Sequence, residues 1–242
     1  MKKSIRLLSL IISIVFIIMQ QAFATEELSI TEFDYIMELY DVIDTSESQQ
    51  GYAHNMAEYA RLLGYTDDHI IISTAKENWC QAEEIKKYAE KELASWEDKF
   101  AEYPVATYIW LYCKSELNYN DYVIAGIMGN LMAEVGGGTL ELKYNANSKG
   151  YYGICQWSKR YYPYITDTSL IEQCEILGNT IEEELNNFGF CYKRGYKYQD
   201  FLDLSDECAA ALMFAKAYER CAEESYLARQ KNATKAYDYF VN

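Results

Sequence analysis

Histidine is almost missing from this chain: His54 and His69 are the only two in 242 residues. That scarcity excludes zinc-dependent hydrolysis of the usual kind, which takes two or three imidazole ligands, and leaves little room for a Ser-His-Asp triad. It also weighs against a thiol nucleophile at Cys155, because an imidazole normally activates the sulfur and both histidines lie far upstream in a helical stretch. Basic residues are few, 22 against 37 acidic ones, for a net charge of -15. With no basic stripe to displace counterions, nucleic acid is excluded as a partner, and so are anionic membrane surfaces. Proline is limited to Pro104 and Pro163, so long helices are permitted. No cofactor is expected.

Long apolar runs are also absent after the first two dozen residues. Lys2, Lys3 and Arg6 precede the run Leu7 to Met19, which Ser9 and Ser13 alone interrupt, and Ala22-Phe23-Ala24 supplies small residues for cleavage. The run is shorter than the roughly 20 residues that span a bilayer, so residues 1–24 read as an export signal and not a retained anchor. The mature chain is then expected outside the membrane, secreted or associated with the cell wall, without membrane insertion once the signal is removed. Its loss makes the net charge three units more negative. Seven cysteines in an exported chain suggest a disulfide framework, with one left over. A bridge among Cys191, Cys208 and Cys221 is plausible, but connectivity is not readable from spacing.

Helical periodicity dominates the rest. Phe33, Ile36, Met37, Tyr40 and Ile43 mark a first helix from Thr31 to about Ile43. A second runs from Ala53 to Leu63 and stops at Gly64, and a third follows Asp67 and Asp68 to about Tyr103, where Pro104 breaks it. Nothing in residues 25–103 combines a nucleophile, a base and an oxyanion donor, so this part reads as a helical accessory region. From residue 104 the pattern becomes denser in apolar and aromatic residues. A helix through Trp110 and Leu111 leads to Asn118-Tyr119-Asn120, where Asp121 is placed to cap the next helix. That helix, Tyr122 to Glu134, is apolar nearly all round and must be buried. Strand character follows around Thr139 to Tyr144 and Tyr151 to Trp157, and further helices at about Ser169 to Asn187, Ser205 to Glu224 and Tyr226 to Phe240. The fold class is mainly α, a buried central helix with a small β element.

Glu134 is the residue that stands out. It is the sole charge within the buried helix and sits immediately before Gly136-Gly137-Gly138, which ends it. Apolar surroundings and the negative end of the helix dipole both disfavour a carboxylate there, and a carboxylic acid that keeps its proton can donate it to a glycosidic oxygen. The segments AGIMGNLMAEVGG (Ala125 to Gly137) and GYYGICQWS (Gly150 to Ser158) together resemble the phage-tail lysozyme family, within the lysozyme-like superfamily that includes goose-type lysozymes and soluble lytic transglycosylases. The resemblance covers about Val105 to Phe240. It implies an α+β lysozyme-like fold over residues 104–242 and cleavage of peptidoglycan glycan strands.

Residue by residue, the resemblance matches Gly129, Asn130 and Glu134 to the family's acid-bearing helix, and Gly150, Gly153, Gln156 and Trp157 to the β floor of its sugar cleft. FAKAYERC (Phe214 to Cys221) is similar to the family's aromatic-Glu-Arg helix. Glu134 is then the catalytic acid, with Asn130, Tyr152, Gln156 and Trp157 as candidate glycan contacts, although a core place suits Trp157 equally well and Gln156 could instead complete a strand hydrogen-bond pattern. Gly129, Gly150, Gly153, Glu219 and Arg220 are candidate supports, the last two read as an ion pair with each other or with neighbours. The 24 tyrosines suit a glycan partner, since rings stack on pyranose faces, although core and surface roles account for most.

Two departures from the family pattern matter. Val135 stands where a Ser often follows the acid, and no Asp lies between Glu134 and Gly150, where Glu141 is the only acid and reads as a solvated side chain. Retaining and inverting glycosidases both need a second carboxylate. Its absence opens the lytic transglycosylase route, in which the muramic 6-hydroxyl replaces water. It equally fits a catalytically inactive glycan-binding module that keeps the cleft.

Overall fold

Alanine and other small residues at helical spacing create the first compact unit. The computed structural model describes residues 30, 33–163, 165, 168–187 and 197–242. The proposed leader (1–24), the expected helix start at Thr31 and Cys191 lie outside them. The chain divides into two units, Ile30–Lys99 and a second that holds the described residues from Phe100 to Asn242. Among the described residues the protein is mainly helical, with eight α-helices and one small three-stranded antiparallel sheet. No described helix is long and apolar enough to cross a membrane.

In the first unit, α1 (Asp34–Leu62) and α2 (Ile70–Glu102) form the long helices, and the last turn of α2, from Phe100, belongs to the second unit. Ala53, Ala57, Ala60, Ile72, Ala75, Ala82 and Ala89 are buried along their seam. Gly64, at φ +86°, turns the chain out of α1, and Tyr65 N–H caps Ala60 O at 3.2 Å. The two helices expected before Gly64 are one. The stretch between them, Ser46 to Gly51, contains no proline, and a single glycine costs a helix interior only about 1 kcal/mol relative to alanine. Packing of the flanking turns outweighs that.

In the second unit α3 (Pro104–Ser115) starts with proline in its first turn, where the missing N–H is no loss. It is buried along most of its length, and Trp110 stacks on Phe240 with ring centroids 4.4 Å apart. The central helix α4 (Asp121–Val135) is capped by Asn120 and not by Asp121: Asn120 Oδ1 accepts from Val123 N–H at 3.0 Å. Asp121 instead pairs with Lys114 at 2.9 Å. Asn120 Nδ2 also donates to Leu202 O at 2.8 Å, which ties the start of α4 to the short α6 (Tyr198–Leu202), a helix the periodicity did not reveal.

Two helices close over α4, namely α7 (Glu207–Phe214) and α8 (Tyr226–Val241). Glycines set their approach. A Cβ on Gly126 would lie 2.5 Å from Ala210 Cβ, and one on Gly129 would lie 2.5 Å from Arg229 O and 2.6 Å from Ala233 N. The expected single helix Ser205 to Glu224 is broken: α7 passes into a π-helical turn, Ala215–Glu219, which ends at Arg220 in the left-handed region (φ 53°), and a 3-10 turn spans Glu223–Ser225.

The sheet is smaller than expected. Thr139 to Tyr144 is irregular, and the strands are β1 (Asn147–Ser148), β2 (Tyr151–Tyr152) and β3 (Trp157–Ser158). Ser148 pairs with Tyr151 across Lys149-Gly150, both at positive φ (53° and 88°), which matches the right-handed strand twist and calls for glycine at the second position. Buried Gln173 on α5 (Leu170–Asn187) staples this element down: its Oε1 accepts from Ile154 N–H at 3.0 Å and its Nε2 donates to Tyr144 O at 3.0 Å.

Backbone atoms cannot step aside for a methyl group at the α4–α8 crossing. Gly129→Ala is expected to cost about 1–3 kcal/mol through overpacking, read as a lower melting temperature with circular dichroism unchanged below the transition.

Candidate active site

The close approach of α4 and α8 at Gly129 brings a buried cation against Glu134. α8 buries Arg229, Asn232, Ala233, Ala236 and Phe240 on one face. Arg229 Nη2 donates to Glu134 Oε1 at 2.5 Å, with the Arg229 side chain 6% exposed and that of Glu134 21% exposed. Glu134 thus reaches solvent from the end of α4 while its partner stays inside. The guanidinium is fixed from its other edges: Nη1 donates to Asn130 Oδ1 at 3.1 Å, and Nε to Ser225 Oγ at 3.3 Å.

Asn130 is fully buried, and its amide donates to Gly126 O at 2.8 Å and Ala211 O at 3.0 Å. It orients Arg229 and joins α4 to α7. This is a supporting place, in contrast to the glycan contact expected of it, because a side chain with no exposed surface cannot meet a sugar.

Trp157 is likewise a core residue: it is buried, and its indole N–H donates to Tyr218 O–H at 3.1 Å. Tyr218 in turn shares a 2.7 Å hydrogen bond with Thr180 on α5. Gln156 occupies the left-handed region (φ 50°) and donates to Ala146 O at 3.2 Å and Gly153 O at 3.0 Å, so its amide holds the turn together. Gly153 (φ 76°) lies where a Cβ would meet Gln173 Oε1 at 2.6 Å. Of the four residues expected to touch glycan, Tyr152 alone keeps a partly exposed side chain without a structural hydrogen bond, with Lys159 Nζ 5.9 Å from its ring centre. Glu141 is exposed, as expected of a solvated carboxylate.

Glu219 and Arg220 part company. Arg220 points away from the core and pairs with Glu184 on α5. Glu219 turns inward toward Glu134, Arg229 and Cys155, and its Oε1 is sealed from solvent with no hydrogen-bond partner. Burial, followed by the charge of Glu134, pushes its carboxyl from 4.5 up to about 8, against the opposing pull of Arg229 and a hydrogen bond from Cys155.

Cys155 itself is buried, and burial together with the charges of Glu219 and Glu134 pushes its thiol well above the ordinary range. A buried thiol held neutral is a poor nucleophile, which weighs against the cysteine route. Cys208 and Cys221 are not bridged: the first lies 3.5 Å from Thr234 Oγ1, and the second accepts from Ser225 O–H at 3.2 Å.

Arg229 and the inward turn of Glu219 are what the sequence reading missed. One signal was present for the first: Arg229 and Asn232 interrupt the apolar face that Ala233, Ala236 and Phe240 define, and a polar residue on such a face needs a buried partner.

Two outcomes follow from this geometry. Asn130→Ala strands Ala211 O and one edge of Arg229, and is expected to lower stability by about 1–3 kcal/mol in chemical denaturation. Between pH 4.5 and about 8 the unfolded chain loses the Glu219 proton while the folded chain keeps it, so this group's contribution to stability is full below that window and is lost as pH rises through it. The difference in melting temperature between Glu219→Gln and wild type should therefore move in favour of the variant as pH increases.

The phage tail lysozyme family model matches residues 104–240, the span that carries α3 through α8 and the Glu134 cluster. No curated protein and no solved structure matches the chain. The chain belongs to the phage tail lysozyme family, lysozyme-like proteins that degrade peptidoglycan.

Proposed function

We propose that the protein is exported through its leader, residues 1–24, and cleaves the glycan strands of peptidoglycan with Glu134 as general acid. The observation that carries this reading is the placement of Glu134: a carboxyl that reaches solvent at the end of an otherwise buried helix, backed by a guanidinium with almost no exposure of its own. A surface glutamate has no need of a buried, fully oriented cation behind it.

In the proposed step the Glu134 carboxyl proton passes to the glycosidic oxygen, and the electron pair of the carbon–oxygen bond leaves with that oxygen. The sugar carbon becomes oxocarbenium-like. Water then adds and returns a proton to the Glu134 carboxylate, giving a reducing end. If the muramic 6-hydroxyl adds in its place, it returns the proton and closes an anhydro ring. Throughout, Arg229 holds the carboxylate left behind, at a fixed distance that needs no rearrangement during the reaction. Tyr152, beside β3 and partly exposed, is the candidate sugar contact.

The test is release of soluble fragments from purified peptidoglycan by the wild type and by Glu134→Gln. Loss of a general acid typically costs about a hundredfold to ten-thousandfold, so the variant should be nearly inactive, with circular dichroism unchanged below the transition and a lower melting temperature, because Gln leaves the buried Arg229 charge unopposed. Equal release by both proteins overturns the assignment. Binding to peptidoglycan without release by either would mark a glycan-binding module. Mass spectrometry of the fragments decides between reducing and anhydro ends.

A further inference from the structure

In a chain of net charge -15, one stretch has the opposite sign: Leu142 to Pro163 contains Lys143, Lys149, Lys159 and Arg160 and no Asp or Glu. We propose that the exposed end of the small sheet, where Lys149, Lys159 and Arg160 gather, is a subsite for the peptide stems of peptidoglycan. It takes the stem carboxylates, so that stem-bearing glycan is bound in preference to bare glycan. The proposal rests on the protein acting on peptidoglycan through Glu134.

Strand pairing brings the cations together. Lys159 N–H donates to Gly150 O at 3.4 Å, so Lys149-Gly150 and Lys159-Arg160 meet at the end of the sheet away from the turn Gly153 to Gln156. All three cations are exposed, and among the described residues none lies within ion-pair distance of a carboxylate. By contrast Lys114, Arg220 and Arg229 in the same unit are each matched to an acid. Tyr151 and Tyr161 frame the cluster as exposed rings, and the Arg160 guanidinium lies 5.7 Å from the Tyr161 ring centre. Lys149 also holds the left-handed first position of its turn (φ 53°), where Asn or Asp is the usual choice before glycine. A lysine there costs backbone energy, and what its side chain contributes in return is an exposed positive charge.

Position and charge identify the occupant. Lys159 Nζ is 5.9 Å from the ring centre of Tyr152, the candidate sugar contact. The same segment leads back to the acid: a Cβ on Gly136, two residues past Glu134, would lie 2.9 Å from Leu142 Cδ2. Ala146 O then accepts from Gly153 N–H at 3.0 Å and from Gln156 Nε2 at 3.2 Å, which holds the turn of the sheet against the chain that leaves α4. The peptide stems of peptidoglycan leave the glycan at the muramic lactyl groups and carry free carboxylates. An extended peptide advances about 3.3–3.6 Å per residue, so two or three residues reach from a sugar at Tyr152 across the cluster. A long polyanion fits less well. Beyond these cations it would meet the surface of a strongly acidic chain, and the attraction of the patch is screened over about 8 Å at physiological salt. A short branch with one or two carboxylates meets the patch alone.

The test is equilibrium binding to the full chain of a muramyl peptide, which has no bond between sugars to cut, and of the same molecule with its carboxylates amidated. Wild type should bind the free acid about tenfold more tightly at about 0.05 M salt, and the preference should shrink at about 0.5 M. The triple variant Lys149→Asn, Lys159→Gln, Arg160→Gln should bind both forms alike at either salt, with circular dichroism unchanged. Asparagine suits the left-handed turn position, so the hairpin keeps its geometry. Equal binding of the two forms by wild type, or a preference that survives in the triple variant, overturns the proposal. So does tighter, patch-dependent binding of a glycerol phosphate polymer, which would make phosphate the ligand. Should the triple variant fail to fold, Arg160→Glu alone, exposed beyond the last strand, decides: a preference reduced several-fold supports the subsite, and an unmoved one overturns it. Fragment release keeps the two readings apart. A wild type that prefers the free acid but releases nothing from peptidoglycan, or a Glu134→Gln variant that releases as much as wild type, sinks the functional reading. Release that depends on Glu134, with equal binding of the two peptides, sinks this inference only.

Discussion

The contact between Arg229 and Glu134 organises the second unit. A buried guanidinium is tolerable only when its donors are matched and its charge is opposed, and here each need is met by a different part of the chain. Asn130 and Glu134 come from α4, and Ser225 from the turn that leads into α8. For those groups to meet, α4 and α8 must cross almost backbone to backbone, and this is why Gly129 has Arg229 O and Ala233 N against it. The glycine, the asparagine and the acid are three consequences of one arrangement. Their order along α4, at positions i, i+1 and i+5, places all of them toward α8.

Much of this was legible in the residues, and the parts that were not have physical reasons. The buried helix announced itself because an all-apolar stretch has one stable location. The acid announced itself as the sole charge in that stretch. Pairing across the fold is a different matter. Arg229 reads locally as one more charge on a mixed helix, and nothing nearby says that its side chain runs inward. Asn130, Gln156 and Trp157 were read as glycan contacts for a related reason: a motif names residues but not the direction their side chains take, and all three turn toward backbone carbonyls or Tyr218. The helix ends were misjudged where competition was close. Asn120 and Asp121 are both good caps, and Lys114 drew Asp121 away.

The hairpin of α1 and α2 shows the reverse case. Its sequence contains a weak helix segment at Ser46 to Gly51, and the small-residue seam on either side carries the helix through. Intrinsic preference is a matter of tenths of a kilocalorie per residue for such residue types, whereas each buried side chain contributes more. Local composition therefore overstated the break.

The π-helical turn at Ala215–Glu219 has a consequence for how the cluster came to be assembled. A π turn holds one residue more than an α turn, so every side chain beyond it is rotated relative to the helix that precedes it. Without that extra residue, the positions following Phe214 would continue the register of Ala210, Ala211 and Phe214, and Glu219 would not be the one turned inward. A single insertion or deletion in this stretch would put a different residue where the Glu219 carboxyl now turns inward. Which side chain fills this interior position is thus encoded by the length of one turn as much as by the identity of any residue in it.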